Sequence, residues 1–162
     1  MTTEEASFDD LYRRHAPNAF RRARRLLGND ADAQELVQDV FVSLFERPAQ
    51  FGERSTFTTF LYSAVTNACL NRIRNRRNRL RLLRREPSTP EPYDRKLSAE
   101  QLATLHGLIE RIPEHLARVA IYYCVDELTH DDIARILGCS RRQIGKLLEQ
   151  LSEWGRAQEK VR

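Results

Sequence analysis

From Arg54 to Arg85 the chain carries no acidic residue, and within that stretch three aromatic side chains precede a dense run of arginines. Phe57, Phe60 and Tyr62 come first; Arg72, Arg74, Arg76 and Arg77 follow. The chemistry open to such a segment is binding rather than bond-making. Guanidinium groups attract phosphates and displace their counterions, and aromatic faces give unstacked bases a stacking surface. The same residues also fit a solvated basic helix whose aromatics are core. Groups for covalent chemistry are scarce. No nucleophile–base pair or metal cluster is visible, and Asp10, His15 and His106 have no partner that the sequence reveals. No catalytic residue, metal or cofactor is expected.

The charge is divided unevenly. Of the 162 residues, 1–85 hold 16 basic and 10 acidic side chains, net +6, and 86–162 hold 11 and 13, net −2. Such a split points to halves that meet different partners, or the same partner differently. Cys69, Cys124 and Cys139 are odd in number and far apart, without Cys-x-x-Cys or Cys/His spacing. Each falls on an apolar face of the pattern, which predicts buried thiols in a reducing cytoplasm. The N-terminus Met-Thr-Thr-Glu-Glu-Ala-Ser is acidic and has no secretion-signal core. No apolar run reaches the roughly 18–20 residues that span a bilayer. A soluble cytoplasmic protein without membrane insertion is expected.

The elements that must position these residues are helices, since helical periodicity dominates throughout. A first helix is predicted over 7–27, with Ser7 and Asp10 as a capping box and Gly28 as the stop. A second starts near Asp30 and runs to Arg47, ahead of Pro48. A third begins at Ser55 or Thr56 and continues into the arginine run. Residues 86–96 hold Pro87, Pro90 and Pro92 and read as a flexible interdomain linker. Beyond it, 97–111 is helical, Pro113 starts a further helix through Tyr123, and two capping boxes follow: Thr129 with Asp132 and Ser140 with Gln143. Gly138 sits between them. Two capped helices about a tight Gly-Cys turn make a helix-turn-helix; an αα-hairpin with no nucleic-acid role has the same pattern. The fold class is all-α: two small helical domains, 1–85 and 97–162, with the helix-turn-helix in the second.

Both halves resemble one family, the extracytoplasmic-function (ECF) sigma factors of bacterial RNA polymerase. Residues 32–41, D-A-Q-E-L-V-Q-D-V-F, are similar to the family's D-A-E-D-L-V-Q-E-V-F in region 2. Residues 60–74, F-L-Y-S-A-V-T-N-A-C-L-N-R-I-R, are similar to W-L-Y-R-I-A-x-N-x-x-x-D-x-x-R. In the second half, I-P-E-H-L-A-R-V-A precedes L-T-H-D-D-I-A-R-I-L-G-C-S, which resembles the region 4 pattern L-S-Y-E-E-I-A-x-I-L-G-x-S. The resemblance covers most of the chain apart from the linker and the ends. It implies an alternative sigma factor, not an enzyme, that binds core RNA polymerase and directs promoter recognition and transcription initiation. The first domain would hold the β′ clamp helices and the −10 element, and the second the −35 element and the β flap. By position, Asp32, Glu35, Leu36, Gln38, Asp39 and Phe41 match the polymerase-binding helix. Phe57, Phe60, Tyr62, Asn67, Asn71, Arg72, Arg74, Arg76 and Arg77 form the −10 set. Asn67 matches the asparagine at the pocket for a flipped base, where a carboxamide offers both donor and acceptor. Ser140, Arg141, Arg142, Gln143 and Lys146 form the −35 set. The partners implied are core polymerase, promoter DNA and, as a further candidate, an anti-sigma factor.

The chain departs from the family at Ser63, where arginine is common, and at Asn71, where aspartate is common. The last helix departs further: Q-I-G-K-L-L-E-Q-L-S stands where the family often has T-V-K-S-R-L-x-R-A-R. Leu147 and Gln150 replace basic positions, and Gly145 weakens the helix by up to about 1 kcal/mol relative to alanine. These departures keep two alternatives open: a divergent sigma-like protein-interaction module, and a helix-turn-helix regulator with weak or no initiation activity.

Overall fold

The computed structural model describes residues 3–47, 56–83 and 97–161, and within α1 and α3 the side chains of 8–27 and 57–76. Every regular element among the described residues is a helix. α1 spans Thr3–Leu27, α2 Asp30–Glu46 and α3 Phe57–Leu83. α4 spans Ala99–Arg111, α5 Glu114–Ala120, α6 His130–Leu137 and α7 Arg141–Lys160. By packing, the chain forms two compact units, Met1–Gly107 and Leu108–Arg162.

Local sequence explains most of the boundaries. α1 starts at Thr3 rather than Ser7, so Ser7 lies one turn inside the helix and cannot be its cap. Gly28 ends α1 at φ 73°, a left-handed conformation glycine adopts without penalty. Asn29 caps α2, its side chain accepting from the Asp32 N–H at 3.0 Å. α3 is capped by Thr56, whose Oγ1 accepts from the Thr59 N–H at 3.2 Å. Pro48 and Ser55 lie outside the described residues, as does the expected linker 86–96.

In the first unit, α1, α2 and α3 pack against one another around Ala23, Leu26, Val37, Phe41, Val65 and Cys69. Each fully buried large apolar side chain contributes about 1.5–3 kcal/mol. A buried cation sits among them. Arg22, 8% exposed, donates to Thr66 Oγ1 from Nη2 (3.1 Å) and Nε (3.3 Å), and its guanidinium lies 4.2 Å from the centroid of the Tyr62 ring. Ala99 to Gly107 of α4 also belong to this unit rather than to the C-terminal half. A capping box starts α4, with Gln101 N–H donating to Ser98 Oγ and Ser98 N–H to Gln101 Oε1. His106, buried, bonds to groups of α1 and α3.

In the second unit, α5, α6 and α7 enclose Leu116, Val119, Ile121, Tyr122, Ile133 and Ile144. The helix expected to run to Tyr123 is α-helical only to Ala120 and continues as a π-helical turn, Ile121–Val125. Ile121 and Tyr122 thereby point inward, while Tyr123 and Cys124 face outward. Only Cys69 of the three cysteines is buried; Cys124 is exposed and Cys139 half-buried. The expectation of three buried thiols therefore fails. The π turn rotates Cys124 outward, and Cys139 sits in the turn after α6. Burial pushes the Cys69 thiol up to about 12, partly offset by the Arg22 and Arg72 charges.

Candidate nucleic-acid interface

On α3, Phe60, Ala64, Asn67 and Asn71 recur at i, i+4, i+7 and i+11 and so share one helix face. On α2, Leu36, Asp39, Val40, Ser43 and Leu44 recur in the same way. The two faces meet along an open groove of about 480 Å³ that Ala68 and Arg72 complete. Its floor is apolar, from Leu36, Val40, Leu44, Ala64 and Ala68. Its polar groups are two carboxamides, one hydroxyl, one carboxylate and one guanidinium. An aromatic ring beside paired carboxamides over an apolar floor suits a planar base whose edge needs donors and acceptors. Leu36 and Asp39 of the polymerase-binding set thus border the same groove as Phe60, Asn67, Asn71 and Arg72 of the −10 set.

The remaining members of those sets are dispersed. Asp32 is half-buried in the first turn of α2, its carbonyl accepting from Arg72 Nη1 at 3.0 Å. Glu35 pairs with Arg72 Nη2 at 3.1 Å; the Arg72 side chain is 17% exposed and that of Glu35 50%. Arg72 is therefore tied to α2 from both ends of its guanidinium. Gln38 and Asp39 are exposed. Phe41 is buried, with its ring 4.9 Å from Tyr12 and 6.4 Å from Phe8. Phe57 packs on His15 at 4.9 Å, and Tyr62 stacks under Arg22. The three aromatics thus occupy three different surroundings, and only Phe60 lines the groove. Arg74 is half-buried, Arg76 donates from Nη1 to His106 Nδ1 at 3.2 Å, and the Arg77 side chain lies outside the described ones.

In the second unit, Thr129 caps α6, its Oγ1 accepting from the Asp132 N–H (3.2 Å) while its hydroxyl donates to Asp132 Oδ2 (2.8 Å). α6 closes on Gly138 at φ 68° and ψ 34°, and Ser140 caps α7 by accepting from the Gln143 N–H at 3.1 Å. Ser140, Arg141, Arg142, Gln143 and Lys146 are all exposed, at and just beyond the N-terminus of α7. Arg141 Nη1 lies 3.7 Å from Asp131, an exposed pair worth at most about 1 kcal/mol. Gly145 is half-buried with open space around its Cα, so no close approach explains it.

Three features of the structure stand outside the sequence expectations. Val42 and Phe45 stand 53% and 56% exposed on α2, beside Gln38 and Asp39. The signal was available: residues 36–45 hold too many apolar positions for one inward stripe. Arg22 was hidden because nothing in α1 announces its partner, Thr66, 44 residues away. His106 was seen only as a residue without a partner. Among the described residues no group of three or more His, Cys, Asp or Glu side chains could hold a metal ion. None of the described helices is long and apolar enough to cross a membrane.

Residues 11–79, which hold the groove, match the model of the Sigma-70 region 2 family. The chain is 32% identical over 164 residues to the ECF RNA polymerase sigma factor SigE of Mycolicibacterium smegmatis, covering 91% of this chain and 61% of that one. The likeness to the ECF sigma factors runs over most of the chain. A second relative, SigW of Bacillus subtilis, is 24% identical over 147 residues, covering 83% of this chain and 79% of its own. The chain spans about three fifths of the length of the M. smegmatis relative. Two solved structures share the fold. The sigma factor RpoE, in complex with the anti-sigma factor NepR from Bartonella quintana, superposes with a TM-score of 0.53 at 16% identity, covering 91% of this chain and 92% of that one. CnrH, in complex with the cytosolic domain of CnrY, gives 0.50 at 21%, covering 94% and 90%.

Proposed function

We propose that the chain is an ECF sigma factor that binds core RNA polymerase and directs promoter-specific initiation in the cytoplasm, the polymerase itself carrying out the chemistry. The observation that carries the proposal is the α2–α3 groove. It lies within the region 2 match and combines a stacking ring, two carboxamides and an apolar floor. In this reading Phe60, Asn67 and Asn71 receive a flipped −10 base. Arg74, Arg76 and Arg77 are the further basic groups of α3 for the adjoining phosphates. The exposed stripe of α2, Gln38, Asp39, Val42 and Phe45, meets the β′ clamp helices through an apolar centre beside a carboxylate. The second unit, Leu108–Arg162, then works as a helix-turn-helix. Ser140, Arg141, Arg142, Gln143 and Lys146 enter the major groove of the −35 element, since such folds present the N-terminal end of the recognition helix.

A second reading has specific support in α7. Beyond Lys146 its exposed charges include Glu149 and Glu153, which repel phosphates, and the helix keeps few basic groups. A sigma-like module that docks proteins, an anti-sigma factor among them, fits that end; RpoE and CnrH show the fold in complexes with protein partners. Transcription from purified core polymerase and this chain separates the two. Promoter-specific transcripts that disappear with Asn67→Ala support initiation. Polymerase binding without transcripts supports the docking module. Gln38→Lys with Asp39→Lys leaves the Glu35–Arg72 pair intact and should weaken polymerase association; unchanged affinity counts against the α2 assignment.

A further inference from the structure

Two neighbouring acids open α6, Asp131 and Asp132, and they are bound differently. Asp132 is engaged within its own helix start. Its Oδ2 accepts from the Thr129 hydroxyl at 2.8 Å, and its Oδ1 lies 3.5 Å from Arg135 Nη1. Asp131 turns to the next helix instead, its carboxylate 3.7 Å from Nη1 of Arg141, the first residue of α7. The left-handed turn at Gly138 and the packing of α6 on α7 bring these two helix starts together. Arginine presents five N–H donors in a planar fork. With Nη1 facing Asp131, the edge formed by Nε and Nη2 is left for a second partner, and the Arg141 side chain is 69% exposed. All of these residues belong to the second unit.

We propose that Asp131 is a positioning residue for base recognition, holding the Arg141 guanidinium so that its Nε–Nη2 edge presents two donors to a guanine. Guanine offers the matching pair of acceptors, O6 and N7, in the major groove. The carboxylate acts in two ways. It restricts in advance the rotamers that a long side chain otherwise loses on binding. Its charge also repels phosphates, which keeps Arg141 from settling on backbone contacts that carry no sequence information. An acid in the first turn of a helix also suits the positive helix end, but that role alone bears on the stability of α6 and leaves base choice untouched. The inference rests on the reading of α7 as the helix that enters the −35 major groove.

The experiment binds the full chain, with core polymerase, to a library of randomised duplexes and reads the base frequencies of the retained DNA by sequencing. The wild-type complex should favour guanine at one position of the −35 element by about 5- to 140-fold, the worth of a bidentate arginine contact. Arg141→Ala should erase the preference at that position. Asp131→Asn keeps the size of the side chain and removes its charge. It should flatten the same position by about two- to fivefold, the range of an exposed pair. The other positions should stay as in wild type, and affinity for unselected duplex should hold or rise. A wild-type preference at the Arg141 position in Asp131→Asn overturns the proposal, and so does an equal loss at every position. Should Asp131→Asn lose helicity, Asp131→Ser is read in its place, with the same outcomes deciding. Arg141→Ala with every preference intact strikes the reading of α7 and the proposal with it. A loss in Arg141→Ala without one in Asp131→Asn strikes the proposal alone.

Discussion

Arg72 has two conceivable roles, a phosphate contact and a clamp between helices, and the structure favours the clamp. Its Nη1–H donates to the Asp32 carbonyl at 3.0 Å, and its Nη2 faces Glu35 at 3.1 Å. A charged donor to a part-buried carbonyl contributes about 1.5–3 kcal/mol. The Glu35 pair, with the carboxylate half exposed, adds no more than about 1 kcal/mol. Arg72→Ala should therefore cost roughly 2–3 kcal/mol and loosen α2 from α3. At about 1.4 kcal/mol per factor of ten, 2 kcal/mol is about a 30-fold loss of amide protection in those helices. Glu35→Ala should lose no more than about fivefold by the same conversion. Arg72→Lys should recover little, since an ammonium cannot span both acceptors as the planar fork does. Native-state hydrogen exchange on the full chain reads each helix separately, and a salt series with oligothymidine reads phosphate contacts. A clamp leaves the salt slope unchanged, whereas a phosphate contact lowers it by about 0.7. Wild-type exchange in α2 and α3 together with a lowered slope in Arg72→Ala would refute the clamp and return Arg72 to the DNA-facing set.

Cys69 should resist thiol reagents in the native state while Cys124 reacts, and react itself only on unfolding, as mass mapping of labelled peptides would show. Because burial raises the folded pKa to about 12 from an ordinary 9.0, its contribution is fully present below pH 9 and is lost as pH rises towards 12. The stability advantage of wild type over Cys69→Ala should shrink there by about 1.4 kcal/mol per pH unit; a constant difference across that window contradicts the assignment. Gly138→Ala should destabilise the second unit by about 1–2 kcal/mol through its left-handed φ alone, since no atom crowds the added carbon. Ser140→Ala should cost about 1 kcal/mol through the lost cap, both read as shifts in thermal unfolding. Replacing both Arg141 and Arg142 by alanine should abolish transcription from a −35-dependent promoter; normal transcription would favour the docking reading of α7.

The parts legible in the sequence were those set by neighbours in the chain. Gly28, Gly138, Thr129 and Ser140 act locally, through φ or through a bond three residues away, so their positions announced the ends of α1 and α6 and the starts of α6 and α7. Asn67 was singled out through the family resemblance, and its place on one face with Phe60 and Ala64 came from the structure. Pairings across helices were not legible. Arg72 looked like its neighbours Arg74 and Arg76, and only the approach of α2 makes it a clamp. Tyr62 looked like a base platform until Arg22, 40 residues earlier in the chain, covered its ring. The compact units divide after Gly107, within α4, and His106 carries the start of that helix back to α1 and α3. A basic, aromatic stretch therefore specifies a class of ligand, while the choice of which arginines reach that ligand is made by acceptors elsewhere in the fold: a carbonyl of α2 for Arg72, an imidazole of α4 for Arg76.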